Sequence, residues 1–78
     1  MDQSEILKAA LVLYDFSRKL MMNDIQQVNK YKYTSDKETY LLSFNDENLS
    51  IFLVNKDKRY YLPVDSPICS QIINTYMQ

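Results

Sequence analysis

The chain has 78 residues, 46% of them hydrophobic, and a formal net charge of −1, so we expect one small α+β domain over residues 1–78. It contains no histidine, no glycine and one cysteine, which excludes an imidazole base, a glycine-rich phosphate loop, a thiolate metal cage and an internal disulfide. Its nine basic and ten acidic residues argue against a general nucleic-acid binder. We therefore expect a non-catalytic protein that uses no metal or other cofactor.

Residues 3–22 are predicted to form an amphipathic N-terminal helix. Asp2 and Glu5 have the spacing of a capping box at its start. Two adjacent apolar rows follow at helical spacing, and together they would be wide enough to cover a sheet: Ile6, Ala10, Leu13, Ser17 and Leu20, and Leu7, Leu11, Tyr14 and Met21, the latter interrupted by Arg18. Asn23-Asp24 is the natural end of the helix, but the same spacing could continue to about Val28, and the sequence leaves both open.

From about residue 28 to residue 62 the pattern changes from helical to alternating, which predicts an antiparallel meander of three or four strands. Tyr40, Leu42, Phe44, Leu49, Ile51 and Leu53 are expected to face the core. Because there is no glycine, turns that need a positive φ must use Asn or Asp. Residues 23–24, 35–36, 45–48 and 55–58 supply these residue types.

A short C-terminal helix is predicted after Pro63, which ends the last strand. Ser66 is placed to cap this helix and Pro67 to occupy its first position. An apolar stripe follows at helical spacing, formed by Ile68, Cys69, Ile72, Ile73 and Tyr76. We expect Cys69 to be a small buried hydrophobic residue.

Two clusters interleave tyrosine with basic residues: Lys30-Tyr31-Lys32-Tyr33 and Lys58-Arg59-Tyr60-Tyr61. Proteins that bind single-stranded nucleic acid combine aromatic and basic side chains in this way. In a meander, however, these runs would lie on the first and last strands, where lysine protects a sheet edge. A nucleic-acid- or nucleotide-binding module is therefore the alternative hypothesis.

The leading hypothesis is a protein-binding surface on the sheet. Leu41, Phe52, Val54 and Tyr61 are predicted to lie opposite the core-facing set. The two helices could cover one face each, or share one face and leave these side chains exposed, as at a protein interface. The partner is an unidentified protein, with a homodimer as a further possibility. The predicted contacts are Tyr31, Tyr33, Phe52, Val54, Tyr60 and Tyr61 as anchors, with Lys30, Lys32, Lys58 and Arg59 at the rim.

A cytoplasmic location without membrane insertion is expected. Asp2 and Glu5 lie where a secretory signal needs positive charge, and the longest apolar run, 9–14, is about a third of the ~20 residues that a spanning helix needs. In size and in its Asn-, Lys- and Tyr-rich composition, the chain resembles short proteins encoded by phages and other mobile elements of low-GC bacteria. This resemblance implies an inhibitor or modulator that binds a larger host enzyme or complex.

Overall fold

A computed structural model describes residues 2–78 and confirms an α+β architecture, in which one helix precedes an antiparallel sheet in the chain and a shorter helix follows it. The sheet has five strands instead of three or four, because the two-residue polar strand β1 has no apolar alternation to reveal it. The elements are α1 (Gln3–Met21), β1 (Gln26–Gln27), β2 (Lys32–Thr34), β3 (Thr39–Phe44), β4 (Asn48–Leu53), a 3-10 turn (Val54–Lys56), β5 (Lys58–Pro63) and α2 (Pro67–Tyr76).

Both helices begin where the capping residues predict. The Asp2 carboxylate accepts the backbone N–H of Glu5 at 3.0 Å, and this anchors the first turn of α1. In α2, Ser66 is the N-cap residue and Pro67 is the first helical residue. The Ser66 carbonyl accepts the N–H of Ser70 at 3.0 Å, so the backbone of the cap begins the helical hydrogen-bond ladder.

α1 ends through a motif that usually uses glycine. Asn23 has a φ of 61°, and its N–H donates to the Leu20 carbonyl at 3.1 Å. The N–H of Asp24 donates to the Lys19 carbonyl at 2.9 Å, which completes the hydrogen-bond pair of a Schellman motif. The predicted end at Asn23-Asp24 is therefore confirmed, and continuation of the helix to about residue 28 is wrong.

The remaining turns show two ways of replacing glycine. Asp57, with a φ of 53°, takes the left-handed conformation before β5. Within residues 2–78, Asn23 and Asp57 are the two residues with a positive φ. The turn between β3 and β4 uses a side chain instead: the Asn45 amide oxygen accepts the N–H groups of Glu47 and Asn48 at 2.8 and 2.9 Å. An acceptor side chain therefore allows a tight turn without positive φ.

Both helices pack on the same face of the sheet, so the arrangement with one helix on each face is wrong. The strands pair in chain order, and their inward residues join the helices in one core of buried apolar side chains that includes Leu13, Phe16, Tyr33, Tyr40, Leu42, Leu49, Ile51, Leu53, Leu62, Ile68, Cys69 and Ile72. Phe44 shares this face but lies at the end of β3 and is exposed. The opposite face, here called the open face, has no helix over it within residues 2–78.

Each helix begins beside β5 and runs across the sheet toward β1 and β2. α1 begins beside β5, and its Phe16 ring lies 5.1 Å from that of Tyr33 on β2. In the first turn of α2, the Cys69 sulfur is 4.0 Å from the Leu62 carbonyl of β5. At the other end of α2, the Tyr76 carbonyl accepts the side-chain amide of Gln27 at 2.7 Å. Neither helix described over residues 2–78 has the length and apolar character needed to cross a membrane.

Candidate functional site

The centre of the open face is a row of four side chains, one from each of β2 to β5. Strand register aligns Lys32, Leu41, Phe52 and Arg59 across the sheet. Leu41 is 39% exposed and Phe52 is half-buried. With strands about 4.8 Å apart, the row is about 14 Å long. An apolar pair is thus flanked by a basic residue at each end.

Arg59 is held over the centre of this row. Its guanidinium carbon lies 4.7 Å from the centroid of the Phe52 ring, in a cation–π contact. The contact lays the arginine along the sheet and covers one part of the aromatic ring. Phe52 can therefore stack on a flat ligand through that part of the ring only if Arg59 moves away.

A second row, formed by Ser43, Ser50 and Tyr61, lies beside the first. The hydroxyls of Ser43 and Ser50 are 2.9 Å apart and hydrogen-bonded, so the buried Ser50 hydroxyl is satisfied within the chain. Tyr61 is 45% exposed, and with Arg59 and the two serines it lines a hollow of about 260 Å³. The two serines could therefore be covered by an apolar partner surface without losing this hydrogen bond.

The charge of the open face differs from that of the chain. Its strand positions carry Lys32 and Arg59 and, within the described strands, no Asp or Glu, whereas the chain as a whole has a net charge of −1. The face therefore favours a ligand with negative groups beside apolar ones.

Four of the predicted contact residues come together on this face: Phe52 and Tyr61 as side chains with exposed surface, and Lys32 and Arg59 as the basic ends of the central row. Leu41, predicted to share the face, lies between them. The two Tyr/Lys clusters do not form one site. Only Lys32 of the first cluster and Arg59 and Tyr61 of the second lie on the open face, and Leu41 and Phe52 lie between Lys32 and Arg59.

Tyr33 is wrong as an anchor because it is 0% exposed. Strand alternation turns it toward the helices, where its ring meets Phe16 edge-on and its hydroxyl donates to the Lys30 carbonyl at 2.8 Å. Burial raises the pKa of Tyr33 above its ordinary value. The side chain is therefore part of the core.

The other predicted contacts lie outside the open face. Val54 begins the 3-10 turn after β4, and Lys58 and Tyr60 alternate toward the helix side of β5. Lys30 and Tyr31 lie in the turn between β1 and β2, with Tyr31 exposed. The first cluster is also one strand in from the edge, since β1 pairs outside β2.

A second concave surface lies where α1 crosses β5. Its volume is about 640 Å³, and it is lined by Glu5 and Lys8 together with the 58–61 cluster. Sequence reasoning missed Glu5 and Lys8 here, because no local pattern links them to β5. The crossing of the helix over the strand creates the contact.

Within residues 2–78, no group of three or more His, Cys, Asp or Glu side chains could hold a metal ion. Comparisons of the chain with known protein families, with characterised proteins and with solved structures find no match. The functional argument therefore depends on the chemistry of these surfaces.

Proposed function

We propose that this protein is a non-catalytic binding module whose open face docks on a protein partner. The observation that carries the proposal is the Leu41–Phe52 pair, flanked by Lys32 and Arg59 on a face that no helix of residues 2–78 covers. The complementary surface would present apolar side chains beside carboxylates that pair with Lys32 and Arg59.

The geometry suits docking onto a relatively flat surface. Leu41 and Tyr61 offer apolar area that is already partly desolvated, and the Ser43–Ser50 hydrogen bond leaves no unsatisfied serine hydroxyl beneath them. A buried apolar centre with a charged rim is the usual organisation of protein interfaces. We further propose that the protein acts in the cytoplasm as an inhibitor or modulator of a larger host enzyme or complex.

The experiment compares two double variants of the tagged protein. Leu41→Ser with Tyr61→Ser removes apolar area from the open face, and Leu7→Ser with Leu11→Ser removes similar area from the outer side of α1. Partners captured from the source cell are quantified by mass spectrometry, and the affinity of the enriched protein is then measured directly. We expect the open-face variant to weaken binding by at least about tenfold and the helix variant to retain it. Unchanged binding by the folded open-face variant would overturn the proposal.

A second candidate is binding of single-stranded nucleic acid or nucleotide to the same face. The observation that favours it is the exposed Tyr61 ring beside Arg59, on a face whose charged strand residues are all basic. Titration of fluorescent oligonucleotides at two salt concentrations separates the candidates, since phosphate recognition weakens steeply with salt. Affinity tighter than about 10 μM with a strong salt dependence, lost in Tyr61→Ser, would replace the protein-binding proposal.

A further inference from the structure

The outer side of α1 carries an apolar row that the fold leaves uncovered. Leu7 and Leu11 are each 61% exposed, Tyr14 is 56% exposed and Met21 is 71% exposed. With Arg18, these residues recur at spacings of four and three, the spacing of a coiled-coil seam. We call them the outer row. The expectation that this row helps to cover the sheet is wrong, because the helix presents it away from the core.

The neighbouring helix shows that an apolar outer side is not required by the fold. Apart from Pro67 at its start, the exposed residues of α2 are polar: Ser70, Gln71, Asn74 and Thr75. Both helices pack on the same sheet face and have similar inward residues, yet α1 alone of the two exposes several large apolar side chains. Four such side chains on one side of a helix, Leu7, Leu11, Tyr14 and Met21, are typical of an interaction surface.

The charges beside the outer row suggest the occupant. Lys8 and Asp15 follow Leu7 and Tyr14 directly, so both lie on the same flank of the row. In an antiparallel pair related by a twofold axis, like flanks face each other. In a parallel pair this flank would instead face Ala10 and Ser17, which are uncharged. Antiparallel pairing of two identical helices is therefore the arrangement that places opposite charges together.

We propose that the outer row binds a second copy of this chain, with the two α1 helices antiparallel. In this register Leu11 packs against Tyr14 of the second copy, and Lys8 faces its Asp15, each contact occurring twice by symmetry. This surface is separate from the open face, so the inference does not depend on the proposed function.

Arg18 is accommodated in the same register. Its guanidinium is 2.7 Å from the Asp15 carboxylate and 3.4 Å from the Met22 sulfur, so its charged end is held along its own helix. The aliphatic part of the side chain is then available to pack on Leu7 of the second copy. The Asp15 carboxylate is also 3.2 Å from the Lys19 ammonium, and its side chain is 48% exposed. In the pair it would contact Arg18 and Lys19 of its own helix and meet the second copy's Lys8 on its exposed side.

The first test is the concentration dependence of the molecular mass, measured by sedimentation velocity and light scattering. We expect a reversible dimer for the native chain and a dimer dissociation constant at least about tenfold weaker in Leu11→Lys. Leu41→Lys on the open face is the matched control and should leave the dimer intact. A monomer at every concentration, or dissociation by Leu41→Lys but not by Leu11→Lys, would overturn the inference. Circular dichroism checks that each variant is folded.

The second test is a charge exchange that reports the register. Lys8→Glu places two acidic residues together across the pair, and Asp15→Lys places two basic residues together, so each single change should weaken the dimer. The double variant restores opposite charges and should recover most of the affinity. Recovery supports the antiparallel register; a double variant weaker than both single variants would overturn it, since neither side chain is buried.

A lipid surface is the competing occupant for an apolar helix row. Sedimentation with vesicles of neutral and of anionic phospholipid tests it directly. Binding of the native chain to the vesicles, lost in Leu11→Lys while solution measurements show monomer, would replace the dimer with a membrane-surface helix. Absence of vesicle binding together with a dimer in solution supports the inference.

Discussion

The open face and the outer row of α1 are both apolar surfaces that the fold leaves exposed, but they differ in how far the chain covers them. On the open face, Arg59 lies over Phe52, and the Ser43 and Ser50 hydroxyls satisfy each other. On α1, the side chains of the outer row are more than half exposed, and only the Arg18 position is charged. Under the two proposals, the partly covered face binds a different protein, whereas the uncovered row binds a second copy of the chain.

The largest expected effect contrasts the two sides of α1. Phe16 is buried, with its ring 5.1 Å from Tyr33 and 5.2 Å from Tyr40, so Phe16→Ala leaves a cavity at the centre of the core. We expect a loss of about 3–5 kcal/mol in the free energy of unfolding, enough to unfold a domain of this size. Tyr14→Ala, measured at low protein concentration, should change it by less than about 0.5 kcal/mol. Urea unfolding followed by circular dichroism gives both values, and similar losses would contradict the inward and outward assignment.

A smaller effect is expected at Glu38, a buried side chain in the turn before β3. Its Oε2 accepts the N–H of Thr39 at 3.1 Å and that of Asn55 at 2.8 Å, which ties the turn after β4 to the turn before β3. Glu38→Ala removes both acceptor contacts and should destabilise the fold by about 1–3 kcal/mol. Glu38→Gln keeps an acceptor oxygen and should lose less. Equal losses in urea unfolding would show that these contacts do not hold the turn.

The sequence predicted the elements better than it predicted their orientation. The Asp2 cap, the N-cap position of Ser66, the end of α1 and the alternation in β3 and β4 are local properties, and the structure confirms them, although the Ser66 side chain makes no capping hydrogen bond. Local patterns also placed Phe52 and Tyr61 together on one face. They could not predict which face the helices cover, because apolar residues alternate onto both faces of the strands.

The rotation of α1 shows the same limit. The buried side chains on this helix are centred on Ala9, Leu13, Phe16 and Leu20, a row at spacings of four, three and four that neither predicted row contains in full. The Leu7–Leu11–Tyr14 row has comparable hydrophobicity and similar spacing. Phe16 is the one feature that could have distinguished them, since a phenylalanine on the solvent side of a small domain would lose the most burial.

Alkaline pH should destabilise the fold by ionising a thiol buried between α2 and the sheet. Burial raises the pKa of the Cys69 thiol from 9.0 to about 11, and burial also raises the pKa of Tyr40. The folded state therefore holds the thiol proton more tightly than the unfolded state does. This stabilisation is complete below pH 9 and is lost as the pH rises toward 11.

We expect the urea midpoint to fall as the pH rises from 9.0 toward about 11, and to fall less in Cys69→Ala. Because Cys69→Ala keeps the buried tyrosines, the loss of stability that remains in this variant measures their contribution. At pH 8, a thiol reagent should label native Cys69 only as fast as the fold opens. Rapid labelling without urea would show that the side chain is accessible and that α2 does not seal this part of the core.

The smallest expected effect on stability concerns the cover of the open face itself. Arg59→Ala removes the cation–π contact with Phe52 and should destabilise the fold by about 0.5–1 kcal/mol. A double-mutant cycle with Phe52→Leu isolates that contact, because the coupling energy is the part of the loss that requires both side chains. The same change should raise the fluorescence of an apolar dye, since it uncovers the ring, whereas Lys32→Ala at the other end of the row should not. If Arg59→Ala leaves dye binding and coupling unchanged, Arg59 does not cover the face, and this part of the contrast with the outer row would be wrong.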